Sequence, residues 1–150
     1  MEAHYFNVDI DWLEERKGKL SSPELNSAIE VATPPQFAKG IAGIWSPEHL
    51  MTASVSSCFM TTFLAIAENS KLEFVSFTCS AKGKLEKPEG RFIMTEIILE
   101  PVLVILQDAD REKAERILQK AEAACLISNS IKSKVTLITH VVTQQLGSYV

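Results

Sequence analysis

The period of apolar and polar positions changes several times along the chain, and each change marks an element. Residues 4–12 are dense in aromatic and β-branched side chains and predict a strand. Residues 17–22 and 27–33 predict two shorter strands, with Ser21-Ser22-Pro23-Glu24 as the turn between them. Pro34-Pro35 breaks the pattern, and Gly40 and Gly43 keep the next stretch loop-like. Ser46-Pro47-Glu48 then starts a helix. Ser46 can cap the free amides, Pro47 suits the first turn, and Glu48 complements the positive end of the dipole. The helix is predicted to run to about Asn69. Its apolar residues Leu50, Met51, Val55, Cys58, Phe59, Phe63, Leu64 and Ile66 point in nearly every direction, so cover is expected on all sides. The Ser and Thr residues among them argue against lipid.

Residues 72–86 alternate. Val75, Phe77, Cys79, Ala81 and Leu85 share one face, and Ser76, Thr78, Ser80, Lys82 and Lys84 share the other, as in a half-exposed strand. Lys87-Pro88-Glu89-Gly90 suits a type I turn. Residues 91–107 return as the second arm of a long hairpin. Ile97-Ile98-Leu99 and residues 102–106 are apolar on both faces, which demands cover from the chain's own helices or from a second subunit. Pro101 cannot donate to a ladder and marks a bulge or an edge. Asp108 or Asp110 caps a second helix, whose Ala114, Ile117, Leu118, Ala121 and Cys125 fall on one face. Ser128-Asn129-Ser130 interrupts it, and residues 134–143 predict a closing strand. The element order reads as one α+β domain over residues 1–150, with antiparallel sheet wrapped around a long central helix.

Composition adds exclusions. The chain has 150 residues, of which 46% are hydrophobic and 23% charged, with a net charge of -4. That charge gives no electrostatic footprint for nucleic acid or for an anionic membrane. No run approaches the roughly 18 consecutive apolar residues of a membrane span. Residues 1–15 carry acids and no apolar core, unlike a signal peptide, so a cytoplasmic, reducing compartment is expected. The 3 cysteines are too few and too widely spaced for a structural disulfide framework.

The candidates for chemistry are Cys58 and Cys125, each on an inward helix face, although buried cysteine often does no more than pack. Cys79 reads as packing on a strand face. His4, His49 and His140 are scattered and there is no Cys-x-x-Cys, so no metal site is expected, with His49 and Cys58 the one pairing that spacing leaves open. There is no Gly-rich phosphate loop and no nucleophile elbow.

Ser46-Pro47-Glu48-His49-Leu50, then Ala53, then Ser57-Cys58-Phe59 resemble the signature of the OsmC/Ohr family, the osmotically induced and organic-hydroperoxide-resistance proteins. Ala123-Ala124-Cys125-Leu126-Ile127-Ser128 resembles the family's second cysteine segment, and Arg16-Lys17-Gly18 its N-terminal arginine motif. Glu14-Glu15-Arg16 has less glycine than Ohr proteins show there, and residues 51–55 depart from Ohr wording, so the OsmC-like branch fits better. The resemblance implies an intertwined homodimeric thiol peroxidase for organic hydroperoxides. It implies Cys58 as peroxidatic thiol, Cys125 as resolving thiol, Arg16 as thiolate partner and Glu48 as the residue holding the arginine. It implies no bound cofactor, only an external thiol or dithiol reductant. A rival reading is a non-catalytic dimer of the same fold that binds a small apolar ligand at the subunit interface; another is a purely structural dimer with buried thiols.

Two physical expectations accompany the resemblance. Burial raises a thiol's pKa, so Cys58 on an apolar helix is expected to be inert unless a cation sits beside it, and Arg16 is the reasonable donor. Glu48 and Cys58 are ten residues apart, about 15 Å along one helix and about 80° apart around it. Either the helix starts after Glu48 and the loop folds back, or Glu48 and Cys58 of one site come from different subunits.

Overall fold

The computed structural model describes residues 1–145, which form two compact units, Met1–Leu50 and the remainder from Met51. The first unit holds an antiparallel meander of β1 (Asp9–Glu14), β2 (Lys17–Ser21) and β3 (Ile29–Ala32). β1 starts later than residue 4 because its partner runs out: Asp9 faces Ser21, and the next residues of that partner are the Ser22-Pro23 turn. The β1–β2 hairpin closes through Glu15 and Arg16, with Glu15 at φ 48° and its carbonyl accepting from Trp12 Nε1 at 3.0 Å. The loop after β3 folds tightly on itself: Phe37 N donates to Pro34 O at 3.0 Å and Gly40 N to Phe37 O at 3.0 Å. A Cβ at Gly40 would lie 1.9 Å from Pro34 O, so only glycine fits.

Helix α1 (Pro47–Asn69) follows. Ser46 caps it as expected, accepting from His49 N at 3.1 Å through Oγ, a contact typically worth about 1 kcal/mol. Its Oγ also lies 2.6 Å from His49 Nδ1, so the first turn is pinned by the side chains at both ends of the cap.

In the second unit α1 buries Val55, Phe59, Phe63 and Ala67, a four-residue repeat on one face. That face packs on β4 (Phe74–Glu86) and β5 (Ile93–Ile105), the two arms of the predicted long hairpin. Phe63 stacks on Phe77 with centroids 4.9 Å apart and meets Phe74 edge-on at 5.4 Å. The alternation of β4 holds except at Val75, which a register shift between Phe74 and Ser76 turns outward. The turn between the arms is not type I: Glu89 at φ 52° and Gly90 at φ 80° both take left-handed backbone.

β5 buries Ile97, Leu99, Leu103 and Ile105 in the same core, joined by Ala114, Ile117, Leu118 and Ala121 of α2 (Arg111–Ala124). Both helices thus feed one side of β5. On the other side Ile98 and Val104 are half-buried and Val102 is exposed, as are Met60 and Leu64 on α1. Among the described residues of the second unit, cover on all sides of α1 and on both faces of β5 is therefore not supplied.

The sheet is mixed rather than wholly antiparallel, because β6 (Lys134–Leu137) and β7 (His140–Thr143) both run parallel to β5. The expected single closing strand is split in two, yet the register carries through: Leu137 faces Leu99 and His140 faces Val102. Ile138 N donates to Leu99 O at 2.9 Å. In an unbroken parallel ladder the amide of residue 101 would make the next bond, and Pro101 has none. The α2 cap differs in a similar way. Asp110 occupies the capping position without a side-chain bond, while Asp108 Oδ1 accepts from Arg111 Nε at 3.0 Å.

Replacing Phe63 by alanine removes the ring at the centre of this aromatic contact, at a cost expected near 3–5 kcal/mol. Urea denaturation should show that loss as a lower midpoint with an unchanged slope.

Candidate functional site

The two cysteines singled out from sequence meet in the second unit. Cys58 lies three residues after buried Val55, on the flank of the α1 stripe, and is half-buried. Thr62 follows one helical turn later, and its Oγ1 lies 3.9 Å from Cys58 Sγ. Cys125 is fully buried and ends α2, where its backbone leaves the helix at φ -63° and ψ 113°. The segment after it is folded into a tight turn. Asn129 N donates to Cys125 O at 3.0 Å, Ser130 N to Ile127 O at 3.0 Å, and Ser130 Oγ to Leu126 O at 2.8 Å. Asn129 Nδ2 reaches back to Ala123 O at 3.1 Å and satisfies a carbonyl that the helix end leaves free.

This turn aims backbone amides at the sulfurs. Burial is the largest influence on Cys58 and pushes its pKa up. The Ile127 amide, the Cys125 thiol, the Thr62 hydroxyl and the Leu126 amide oppose it and together win, leaving Cys58 below the ordinary thiol value. Cys125 moves the other way. Burial raises it; the hydroxyl and amide of Ser128 pull it down; the hydrogen bond to Cys58 and that sulfur's charge raise it again. The two thiols are thus shifted in opposite directions, Cys58 toward the charged form and Cys125 toward the neutral one. Successive amides of a turn form a concavity suited to negative charge.

Cys58 was expected to need an adjacent cation to offset burial; the influences that lower its pKa here are neutral donors. Neutral donors suffice to bring its pKa below the ordinary value. Thr62, one turn from Cys58, was readable from spacing; the Leu126 and Ile127 amides were not, since any residue carries one. Cys79 sits half-buried on β4, its pKa raised by burial and by the Glu100 charge against the pull of the Glu100 amide.

Arg16 and Glu48 both belong to the first unit. Arg16 is in the β1–β2 turn, its carbonyl accepting from Thr33 N at 3.2 Å. Glu48 stands in the first turn of α1 with one carboxylate oxygen shut off from solvent. α1 begins at Pro47, so the alternative in which the helix starts after Glu48 is excluded. Among the described residues, no three His, Cys, Asp or Glu side chains are grouped as a metal would require. α1 is long and apolar enough to cross a bilayer by length and composition, but its Val55-Phe59-Phe63-Ala67 face is core.

The profile of the OsmC-like protein family matches residues 40–140, about two thirds of the chain. The chain belongs to the OsmC-like family. Among the relatives of this OsmC-like chain is an uncharacterised protein, YmaD of Bacillus subtilis, 27% identical over 142 residues, 91% of this chain and 93% of the relative. Another is the peroxiredoxin OsmC of Escherichia coli, 27% identical over 92 residues, 61% of this chain and 64% of the relative. In three dimensions the chain is similar to an OsmC-like protein of unknown function from Vibrio cholerae, with a TM-score of 0.82 at 22% identity, covering 91% of this chain and 99% of that one. This likeness shows the fold.

Alkylation by iodoacetamide, resolved by peptide mass, tests the electrostatics. Cys58 should become reactive at lower pH than Cys79 and Cys125. Thr62→Val, which keeps shape and removes the hydroxyl, should move the Cys58 profile to higher pH and leave Cys79 in place.

Proposed function

We propose that this chain is a thiol peroxidase that reduces organic hydroperoxides, with Cys58 as the peroxidatic and Cys125 as the resolving thiol. The observation that carries the reading is a pair of thiols that act on each other and whose pKa values are driven apart, Cys58 down and Cys125 up. The name of the Escherichia coli relative, a peroxiredoxin, supports the same chemistry.

The Cys58 thiolate attacks the terminal oxygen of R–O–OH. The S–O bond forms, the O–O bond breaks, and the alkoxide leaves with the bonding pair and takes a proton to become an alcohol. Cys125 then condenses with the sulfenic acid, releasing water and forming a disulfide that protects Cys58 from further oxidation. An external thiol or dithiol reduces the disulfide by exchange. Leu126, 67% exposed and next in sequence to Cys125, supplies apolar surface that favours an organic peroxide over hydrogen peroxide.

Arg16, held by Glu48, is assigned the second task of steadying negative charge at the reacting oxygen and sulfur. Glu48 and Cys58 of one chain stand ten residues apart in one helix, about 15 Å along its axis. This supports a homodimer in which Glu48 of one subunit serves Cys58 of the other. The exposed Ile10 and Trp12 of β1, and the exposed Met60, Leu64 and Val102 of the second unit, supply apolar surface for such an interface.

Thiol titration before and after one equivalent of cumene hydroperoxide tests the chemistry. The wild-type protein should lose two thiols quickly. Cys58→Ser should abolish turnover, Cys125→Ser should permit one oxidation and then stall, and Cys79→Ser should leave the rate nearly unchanged. Loss of no thiol would favour the ligand-binding reading instead.

Two further measurements address assembly. Sedimentation should find a dimer at micromolar concentration. Mixing inactive Glu48→Ala and Cys58→Ser chains should restore activity, because one site of each heterodimer would hold both residues. No recovery after confirmed subunit exchange would exclude the shared site.

A further inference from the structure

We propose that Thr62 is a catalytic residue of the peroxide-reducing step, its hydroxyl passing from the Cys58 sulfur to the terminal oxygen of the hydroperoxide as the S–O bond forms; the inference rests on the peroxidase reading. The motivating observation is a departure from pattern along α1. A hydroxyl inside a helix commonly bonds back to a carbonyl of the preceding turn. Ser54 Oγ donates to Met51 O at 2.7 Å, Ser56 Oγ to Ala53 O at 3.1 Å, Ser57 Oγ to Ser54 O at 3.2 Å and Thr61 Oγ1 to Cys58 O at 3.1 Å. Thr62 does not follow them. Its Oγ1 lies 3.9 Å from Cys58 Sγ, and among the described residues that sulfur is its hydrogen-bond partner. Two adjacent threonines thus divide Cys58 between them, Thr61 at the carbonyl and Thr62 at the sulfur.

At 3.9 Å the hydroxyl holds the sulfur loosely. An ordinary O–H···O bond is shorter, about 2.7–2.8 Å, so an oxygen that joins Sγ on the Thr62 side comes within its reach. No carbonyl bond has to break before the hydroxyl turns to that oxygen. Both residues are half-buried, which leaves their gap open to a small substrate. Being one turn apart on one helix, they keep their spacing without help from the rest of the fold.

The physical argument turns on where the charge goes. The Cys58 thiolate attacks the terminal oxygen of R–O–OH, the S–O bond forms and the O–O bond breaks. The bonding pair leaves on the alkoxide, which takes a proton from solvent. A donor that stays on sulfur stabilises the thiolate before attack and is wasted after it. It makes the thiol easier to ionise and the thiolate a poorer nucleophile. A donor that follows the charge onto oxygen is kept in the transition state and speeds the step. Thr62 retains its own proton throughout and changes only the atom to which it donates.

The test separates the two roles by sign. Consumption of Cys58 is followed by peptide mass in the full chain, with cumene hydroperoxide and separately with iodoacetamide, on the high-pH plateau where Cys58 is fully ionised. Iodoacetamide places carbon rather than oxygen on the sulfur and serves as the control. Thr62→Val should slow the plateau reaction with hydroperoxide about tenfold, the loss expected for one hydrogen bond to a charged group. Its plateau alkylation should stay level or rise. Thr62→Ser should recover most of the hydroperoxide rate, and Thr62→Ala should repeat the valine result.

A hydroperoxide plateau in Thr62→Val that equals or exceeds the wild-type one overturns the proposal, because the hydroxyl then serves ionisation alone. A fall of both plateaus together overturns it too, since that marks a disturbed helix. In either case a wild-type chain that consumes hydroperoxide leaves the peroxidase reading standing. A wild-type Cys58 that is alkylated yet never consumed by hydroperoxide overturns the peroxidase reading itself, and the role of Thr62 with it.

Discussion

The buried stripe Val55, Phe59, Phe63 and Ala67 sets the rotation of α1, and the position of Cys58 follows from that rotation. Cys58 is neither in the stripe nor opposite it. It lies on the flank, near enough to the core to meet Cys125 and far enough out to stay half-buried. Phe63 and Phe59 reach Phe77 of β4 from consecutive turns of the helix, at 4.9 and 5.9 Å between centroids. Aromatic contacts on two turns resist both sliding and rolling of the helix. A roll of one residue, about 100°, would carry Cys58 away from the 125–128 turn altogether.

The second cysteine is positioned by a different rule. α2 is amphipathic, with Ala114, Ile117, Leu118 and Ala121 inward, and Cys125 continues the same repeat just as the helix ends. Helix termination here frees amides. Inside a helix the N–H groups of residues 126–128 would bond to carbonyls four residues back. Leaving the helix at Cys125 releases them to act on the two thiols, and Asn129 and Ser130 hold the released turn in shape.

The elements that sequence patterning fixed well are those with strong local signals. Ser46-Pro47 placed the start of α1 to the residue, and the alternation of 72–86 placed β4 and its outward lysines. The errors fall where a partner decides. The first strand began at residue 9 rather than 4 because β2 turns away, a fact about Ser22 and Pro23 rather than about residues 4–8. The split between β6 and β7 is written in Pro101, some thirty-five residues upstream, and is invisible in residues 134–143 themselves. At the site, side chains were legible and main chain was not. Cys58 and Cys125 carried a motif, but the donors that pull Cys58 down are largely backbone.

The three cysteines form an internal comparison that isolates what burial and donors each do. Burial pushes all three thiols toward the neutral form and is the largest influence on each. They differ in what opposes it. Cys79 has one amide, from Glu100, and that residue's carboxylate works against it. Cys125 has the amide and hydroxyl of Ser128, offset by its neighbour Cys58. Cys58 has two amides, a hydroxyl and a thiol, all favouring the charged form. Only the third set outweighs burial, and Cys58 combines the most donors with the smallest burial cost of the three. In the proposed peroxidase cycle, oxidation of Cys58 removes its charge and with it one of the influences that raise the Cys125 pKa.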